Sequence, residues 1–534
     1  MDSNIKGISL VILALIGIFA LTTPQVEAPT YVTWKLATTD KGEFITAFAH
    51  LYGVPKIEQE YNEYFCWVEL DATKAKIPEE GIIELSIGEY AQPARRVFEI
   101  YEQGKYTYGL SPTFSNKIAE VTSPTPVTVN LKITDKKGGQ VYADSKTIQM
   151  LPINYYAWVL GEKDMRYMSP VLATPHSDPT FKILNAAARA TPWNSIVGYQ
   201  EVEGFSHADI VEIQMRAVYN VLQNLNLTYV HSPAAFTSTQ AQRVKVPVQT
   251  ISDNCGNCIE TTLLFGSIFE ALRFNVHYVF ITGHVFVAVG EWPDSSDLFC
   301  LETTVVGSKT YDEARSIGFQ TFEKAKNEDT GFYLLYVGKI REAGVTPTPH
   351  MDRMPDGSKF YEGIEKVTST ITSTTDMIIR AKNTLQQKTP APTGAEERLH
   401  EAENLYTIGK YAEAKRYAIE AIQMINQTTP PPTPTPTPPK DENTDTIIGT
   451  VFVIIMPLAV VIFAALYVRA RKKQAVPKAA PAPAASPPAV PQPTARPLTT
   501  AAPARATRYC GGCGRRIALD ATFCDYCAHR QRVA

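Results

Sequence analysis

The chain has 534 residues, with 51 Lys and Arg against 54 Asp and Glu and a formal net charge of −3. That length is too great for one domain and implies about three or four units. The near-neutral balance argues against a nucleic-acid-coating surface.

Residues 1–28 read as a signal peptide or an N-terminal anchor. Lys6 gives a modest positive start, Ile8 to Leu21 is a short apolar core, and Val26-Glu27-Ala28 offers small residues for cleavage. Either reading sends the following chain outside the cell.

Residues 29–152 read as strands. Tyr31 to Leu36, Phe65 to Leu70 and Ile82 to Ile87 have strand length and partial alternation. Val127 to Ile133 alternates cleanly, and Asp135-Lys136-Lys137-Gly138-Gly139 turns the chain into Val141 to Met150. A β-sandwich fits, with Cys66 as a buried free thiol. No catalytic cluster is visible in it, so a spacer or binding module is the plain reading.

Residues 153–349 carry the chemistry. Ala208 to Leu225 is an amphipathic helix expected to pack under a second helix, and Asn226-Leu227-Thr228 matches a glycosylation sequon. Gly256-Asn257 is a turn, after which Leu263, Leu264, Ser267, Ile268, Ala271 and Leu272 fall at helical spacing. Cys258 then lies in the first helical turn, where unpaired N–H groups and the helix dipole favour a thiolate. His284 follows Gly283 and heads the apolar strand Val285 to Val289, and Glu302 ends the short run Leu298 to Leu301. A cysteine at a helix start is often only a small buried residue, and a histidine before a strand only a satisfied one. All three in this order, each at an element end, favour a nucleophile, a base and an orienting carboxylate. For the oxyanion, the Cys258 backbone N–H, Gln242 and Gln249 are candidate donors.

On these residues the segment from about Met165 to Pro349 resembles the transglutaminase-like cysteine-protease superfamily. It is closest to a prokaryotic branch marked by Gly-Asn-Cys-Ile-Asp/Glu, Gly-His-x-Phe-Val-x-Val and Glu-Thr-Thr, here Gly256 to Glu260, Gly283 to Val289 and Glu302 to Thr304. The flanking runs Tyr167 to Pro170, Thr174 to Pro179, Gln242 to Pro247 and Gly338 to Val345 resemble that branch as well. The resemblance implies a papain-like α+β catalytic domain with Cys258 as nucleophile, His284 as base and Glu302 as orienting carboxylate. Glu302 stands where better-known members have Asp. Cys255 and Cys300 are additional, and three states are open to them: a bracing disulfide, a redox-gated Cys255–Cys258 pair, or free buried thiols. Zinc on Cys255, Cys258 and His284 is a further alternative, although it falls short of four ligands.

Residues 352–426 read as a helical bundle. Phe360, Ile364, Val367, Ile371, Thr374, Ile378, Ala381 and Leu385 make a heptad stripe, and Glu396 to Tyr406 and Tyr411 to Ile425 follow as two helices. Ala402 to Tyr406 with Tyr411 to Ala414 resembles one tetratricopeptide-type hairpin, below the number a solenoid needs. The plain role for this bundle is to hold the catalytic domain off a membrane. Residues 427–445 form a Thr/Pro stalk, expected to be extended. Residues 446–468 are uncharged and mostly apolar, long enough for one transmembrane helix. Arg469, Arg471, Lys472 and Lys473 behind it place the N-terminal domains outside and the tail in the cytoplasm.

Residues 469–507 form a Pro/Ala linker, expected to be disordered. Residues 508–534 carry Cys510-Gly511-Gly512-Cys513 and, after ten intervening residues, Cys524-Asp525-Tyr526-Cys527. Two such pairs make a tetrahedral thiolate site, and the stretch resembles the zinc-ribbon tails of prokaryotic membrane proteins. A structural Zn2+ held by Cys510, Cys513, Cys524 and Cys527 follows, with no metal expected for catalysis. The arginines around it suit a cytoplasmic protein partner better than nucleic acid.

The expected fold class is therefore multidomain α+β: a β-sandwich, a transglutaminase-like domain, a helical bundle, one transmembrane helix and a zinc ribbon. Two functions are open to such a chain. One is a membrane-anchored extracellular thiol enzyme that acts on peptide or carboxamide bonds through a Cys258 thioester, with hydrolysis favoured over transamidation. The other is a non-catalytic surface binding or scaffolding protein whose zinc ribbon recruits a partner inside.

Overall fold

The computed structural model describes residues 31–427, apart from 76, 232–235, 237–239, 329–331, 350, 352–356 and 389–391, together with the strands at 507–509 and 516–518. The N-terminal part contributes eight main strands: β1 (Tyr31–Leu36), β2 (Glu43–Phe44), β3 (Cys66–Asp71), β4 (Glu79–Ser86), β5 (Ala94–Ile100), β6 (Lys105–Leu110), β7 (Thr125–Asp135) and β8 (Gln140–Met150). They form a three-stranded sheet in the order β1-β3-β6 and a five-stranded sheet in the order β2-β8-β7-β4-β5. Strict alternation drives both. Cys66, Val68 and Leu70 on β3 and Val127, Val129, Leu131 and Ile133 on β7 are buried, with more exposed residues between them. Phe44, Phe65 and Phe114 pack ring to ring at centroid distances of 5.0–5.4 Å.

The next part is built from helices α1 (Asp178–Ala190), α2 (His207–Asn224), α3 (Cys258–Ala271) and α4 (Tyr311–Glu328) around one sheet. Two short strands, β9 (Thr228–Tyr229) and β10 (Cys255–Gly256), pair in parallel. The main sheet joins β11 (Val276–Ile281), β12 (His284–Gly290), β13 (Leu298–Leu301) and β14 (Tyr333–Tyr336), all antiparallel in the order β13-β12-β11-β14. Helix α3 is buried from Cys258 to Phe269, so it is the central core element rather than a surface amphipath. Helix α2 reaches it through Tyr219 and Phe265, at a ring distance of 6.0 Å, but α1 and the short helix Pro247–Asp253 are its closer helical neighbours.

Three helices follow: α5 (Ser358–Gln386), α6 (Ala395–Thr407) and α7 (Tyr411–Asn426). The buried stripe of α5 is Phe360, Ile364, Val367, Ile371, Thr374, Ile378 and Ala381, with Leu385 only partly buried. This bundle is docked on helix α2. The Asn220 and Asn224 side chains donate to the Thr407 and Gly409 carbonyls, which close the α6–α7 turn, at 3.1 and 2.9 Å.

The expected fold class is corrected on one point. Among the described residues no helix is long and apolar enough to cross a membrane. Helix α5 has the length, at 29 residues, but exposes Lys359, Glu365, Lys366 and Asp376, and such a charged face does not enter hydrocarbon without large cost. The expected span at 446–468 lies outside the described residues, as do the leader at 1–28, the stalk and the Pro/Ala linker. At the C-terminus β15 (Thr507–Tyr509) and β16 (Arg516–Ala518) form an antiparallel hairpin with Tyr509 opposite Arg516. Cys510, Cys513, Cys524 and Cys527 themselves lie outside the described residues.

Candidate active site

Helix α3 starts at Cys258 because Asn257 caps it. The Asn257 side chain accepts from the Glu260 N–H at 3.1 Å, and the Glu260 carboxylate accepts from the Asn257 N–H at 2.9 Å. This reciprocal box satisfies two otherwise orphaned donors. Glu260 also accepts from the Lys245 N–H at 2.9 Å, tying the nucleophile turn to the run before it. Cys258 is the first helical residue and is only 2% exposed. The N–H of such a residue has no intrahelical partner.

The imidazole comes from the adjoining hairpin. Strands β11 and β12 are joined by Thr282-Gly283 alone, with Ile281 opposite His284. Gly283 takes φ +69°, a left-handed conformation that this tight turn requires and side chains resist. His284 is therefore fixed at the first position of β12. Strand β13 pairs with β12 so that Leu301 faces Val287. The following residue, Glu302, then falls diagonal to His284 on one face of the sheet. Its Oε2 lies 2.8 Å from His284 Nε2. The carboxylate is 4% exposed and is held from its other oxygen by the Thr304 N–H at 3.1 Å and the Thr304 hydroxyl at 2.7 Å.

Helix α3 covers the opposite face of this sheet, and its N-terminus meets the His284–Glu302 pair at the end of β12. The Thr262 hydroxyl ties the two together, reaching the Cys258 carbonyl at 2.7 Å and the Val285 carbonyl at 3.1 Å. Thr261 and Thr303 share a further hydroxyl contact at 2.9 Å. With Nε2 turned to Glu302, the other ring nitrogen is left for sulfur, and the Cys258 side chain hydrogen-bonds the imidazole. Burial pulls the His284 pKa down, but the Cys258 hydrogen bond and the Glu302 carboxylate outweigh it and raise the value to about 10. For Glu302, burial pushes the pKa up, but the His284 and Thr304 hydrogen bonds outweigh it and hold it below the usual carboxylate value. The structure thus brings Cys258, His284 and Glu302 into one constellation.

Neighbouring groups of the same type behave differently. His277 is buried against Tyr336, with rings 4.7 Å apart and nearly parallel, and burial pushes its pKa down to about 3. It stays neutral and structural. Cys66, Cys255, Cys258 and Cys300 are all free thiols, so the bracing disulfide and the Cys255–Cys258 bond are both absent. Burial pushes Cys66 and Cys300 up to about 12. Cys300 packs with Val279, Phe286 and Ala288 on the sheet face away from α3, which removes it from Cys255. Cys255 is half-buried, with Lys245 Nζ 3.3 Å from its sulfur. Among the described residues no group of three or more His, Cys, Asp or Glu could hold a metal ion, so Cys255, Cys258 and His284 do not form a zinc site. Gln249 accepts from Asn154 at 3.3 Å, and Gln242 pairs with Tyr156 in a short strand.

Sequence reasoning missed Thr262 and Thr304 as clamps and Tyr229 as a neighbour of the site. Thr304 was present in the Glu-Thr-Thr motif; the other two depend on tertiary packing. No protein-family model matches the chain, and no curated protein or solved structure matches it.

Proposed function

We propose that this protein is a thiol enzyme that opens peptide or carboxamide bonds through a thioester on Cys258, with water as the favoured acceptor. The observation that carries the reading is the 2.8 Å His284–Glu302 pair with the second side of its imidazole given to Cys258. In the proposed step the proton of the thiol passes to the His284 ring as the sulfur attacks the carbonyl carbon. As the tetrahedral adduct collapses, the C–N bond breaks and His284 hands that proton to the departing amine. The now neutral imidazole takes a proton from water, whose oxygen attacks the thioester, and the C–S bond breaks to return the sulfur. Glu302 holds the ring in the required tautomer and balances its charge throughout. The sequence resemblance to transglutaminase-like proteins supports the same chemistry.

An electrophilic peptide or carboxamide probe tests this on the full-length protein. The adduct should map to Cys258 and vanish in Cys258→Ala. A wild-type Cys258 left unlabelled in folded, reduced protein overturns the reading and leaves a binding protein.

For the tail, four cysteines in two pairs supply the donor set for a structural zinc ion. The zinc would fold the tail, a module for a protein partner, and takes no part in acyl transfer. Metal analysis should find about one zinc per chain, lost on Cys513→Ser. A metal-free wild type refutes the assignment.

A further inference from the structure

The turn that ends α2 carries the triplet Asn226-Leu227-Thr228, and its three side chains face different surroundings. Asn226 follows the helix with φ +60°, a left-handed conformation that asparagine tolerates better than most residues. Its N–H donates to the Gln223 carbonyl at 2.9 Å, and the Leu227 N–H donates to the Leu222 carbonyl at 3.2 Å. These two bonds are a Schellman closure, made by backbone alone. The Asn226 side chain is exposed, and its carboxamide has no hydrogen-bond partner among the described residues. Glycine is the commoner residue at such a position, so the carboxamide adds nothing to the turn that glycine would lack. Leu227 is 2% exposed and anchors the turn in the core. Thr228 opens β9, which pairs in parallel with β10, and its hydroxyl donates to the Asn254 carbonyl at 3.1 Å.

We infer that Asn226 carries an N-linked oligosaccharide. The inference does not depend on the thiol-enzyme reading; it uses the outward placement expected for the residues before 446–468. In the transfer, the Asn226 amide nitrogen bonds to C1 of the first sugar of a lipid-phosphate-linked oligosaccharide. The bond from C1 to the phosphate oxygen breaks, the lipid phosphate departs with that electron pair, and the amide gives up one proton. The acceptor motif requires a hydroxyl two residues after the asparagine, here that of Thr228. In the folded protein this hydroxyl is given to Asn254, and a Cβ on Gly307 would lie 2.8 Å from the Leu227 carbonyl. The triplet is thus paired on one side and closely approached on the other. Asn254, Cys255, Gly256 and Gly307 all follow it in the chain. Transfer therefore belongs to the emerging chain, before β9 pairs, and the exposed carboxamide leaves the sugar in solvent once the fold closes.

The sequence has one other such triplet, Asn426-Gln427-Thr428, beginning at the last residue of α7, and it serves as an internal reference. Full-length protein isolated from its own host is digested, and the peptides containing Asn226 and Asn426 are weighed. The Asn226 peptide should carry an oligosaccharide mass. That mass should vanish in Asn226→Gly, which keeps the left-handed turn, and in Thr228→Val, which removes the hydroxyl but keeps a branched strand residue. It should persist in Thr228→Ser. If Asn426 carries sugar while the Asn226 peptide is bare, the chain meets the transferase and the assignment to Asn226 is wrong. If both peptides are bare, the inference is overturned as well. A sugar that persists in Asn226→Gly sits on another residue and also overturns it. Probe labelling of Cys258 on the same preparation reports on the thiol separately, so a bare Asn226 leaves that reading standing.

Discussion

Replacing Glu302 with Gln is the most informative perturbation of the constellation. Glutamine keeps the size of the side chain and an oxygen for the two Thr304 bonds, at 3.1 and 2.7 Å. It cannot accept from His284 through its amide nitrogen, so the 2.8 Å bond is lost or the ring takes the wrong tautomer. Loss of a correctly held base costs about 10²–10⁴ in rate, or about 3–5 kcal/mol of barrier. Folding stability should fall by about 1.5–3 kcal/mol, the worth of one charge-assisted hydrogen bond at a site only 4% exposed. The pH window follows from both partners. His284 is raised to about 10, so its contribution is complete below its unfolded value of 6.5 and is lost as pH rises through about 10. Glu302 is lowered, so its contribution is present above its unfolded value of 4.5 and is lost as pH falls through its folded value. The wild type should therefore exceed Glu302→Gln in thermal midpoint most clearly near pH 6, and the gap should close above pH 10. NMR of the ring protons should show the His284 titration moving down in the variant. A variant that keeps wild-type acylation, or an unmoved His284 titration, would refute this account of the pair.

Gly318→Ala should also reach the site, since its Cβ would lie 2.9 Å from the Glu302 N and 3.0 Å from the Cys300 backbone. Pushing α4 off β13 should cost about 1–3 kcal/mol and lower the acylation rate, both measurable on one preparation. Arg341→Ala should cost about 2–4 kcal/mol by urea unfolding, because the guanidinium pairs with both Glu270 oxygens at 2.7 and 3.1 Å and satisfies the Pro170 and Val345 carbonyls. A loss under 1 kcal/mol would mean that solvent replaces those contacts. Thiol mapping of native, unreduced protein should find Cys255 modified by a maleimide, Cys66 and Cys300 protected until unfolding, and no Cys255–Cys300 linkage. A recovered Cys255–Cys300 peptide would contradict the sheet face assigned to Cys300.

The parts of the site that were legible in sequence are those set by local rules. Asn257 with Glu260 is a capping box readable from spacing, and it fixes Cys258 at the first helical position. Thr282-Gly283 between two apolar runs is a hairpin turn, and it fixes His284 at a strand end. What spacing could not decide was which face a residue presents once strands pair. Cys300 looked available to Cys255, but β13 alternates, and Cys300 sits with Phe286 and Ala288 while Phe299 and Leu301 join the main core. His277 lies on the other arm of the same hairpin as His284. The difference is burial: His277 lies within the sheet on Tyr336, whereas His284 ends a strand beside a carboxylate. The docking of the helical bundle was hidden for the same reason, since Asn220 and Asn224 read as ordinary polar positions on a helix.

The geometry also explains why the three groups can stand so near one another in the chain. Helix α3, β11, β12 and β13 follow one another with short connections, so each group sits at the end of an element whose neighbour carries the next. Such local closure costs little loop entropy and makes the Cys258–His284–Glu302 relation largely independent of the N-terminal sheets. Tyr229 is different. Strand β9 is held by the parallel pairing with β10 and by contact with the turn after Glu302, so its side chain is placed only after both of those segments are in register. A lesion in β9 should therefore displace Tyr229 before it disturbs the His284–Glu302 pair. Glu302→Gln should do the reverse, lowering the His284 titration while leaving the β9–β10 pairing intact.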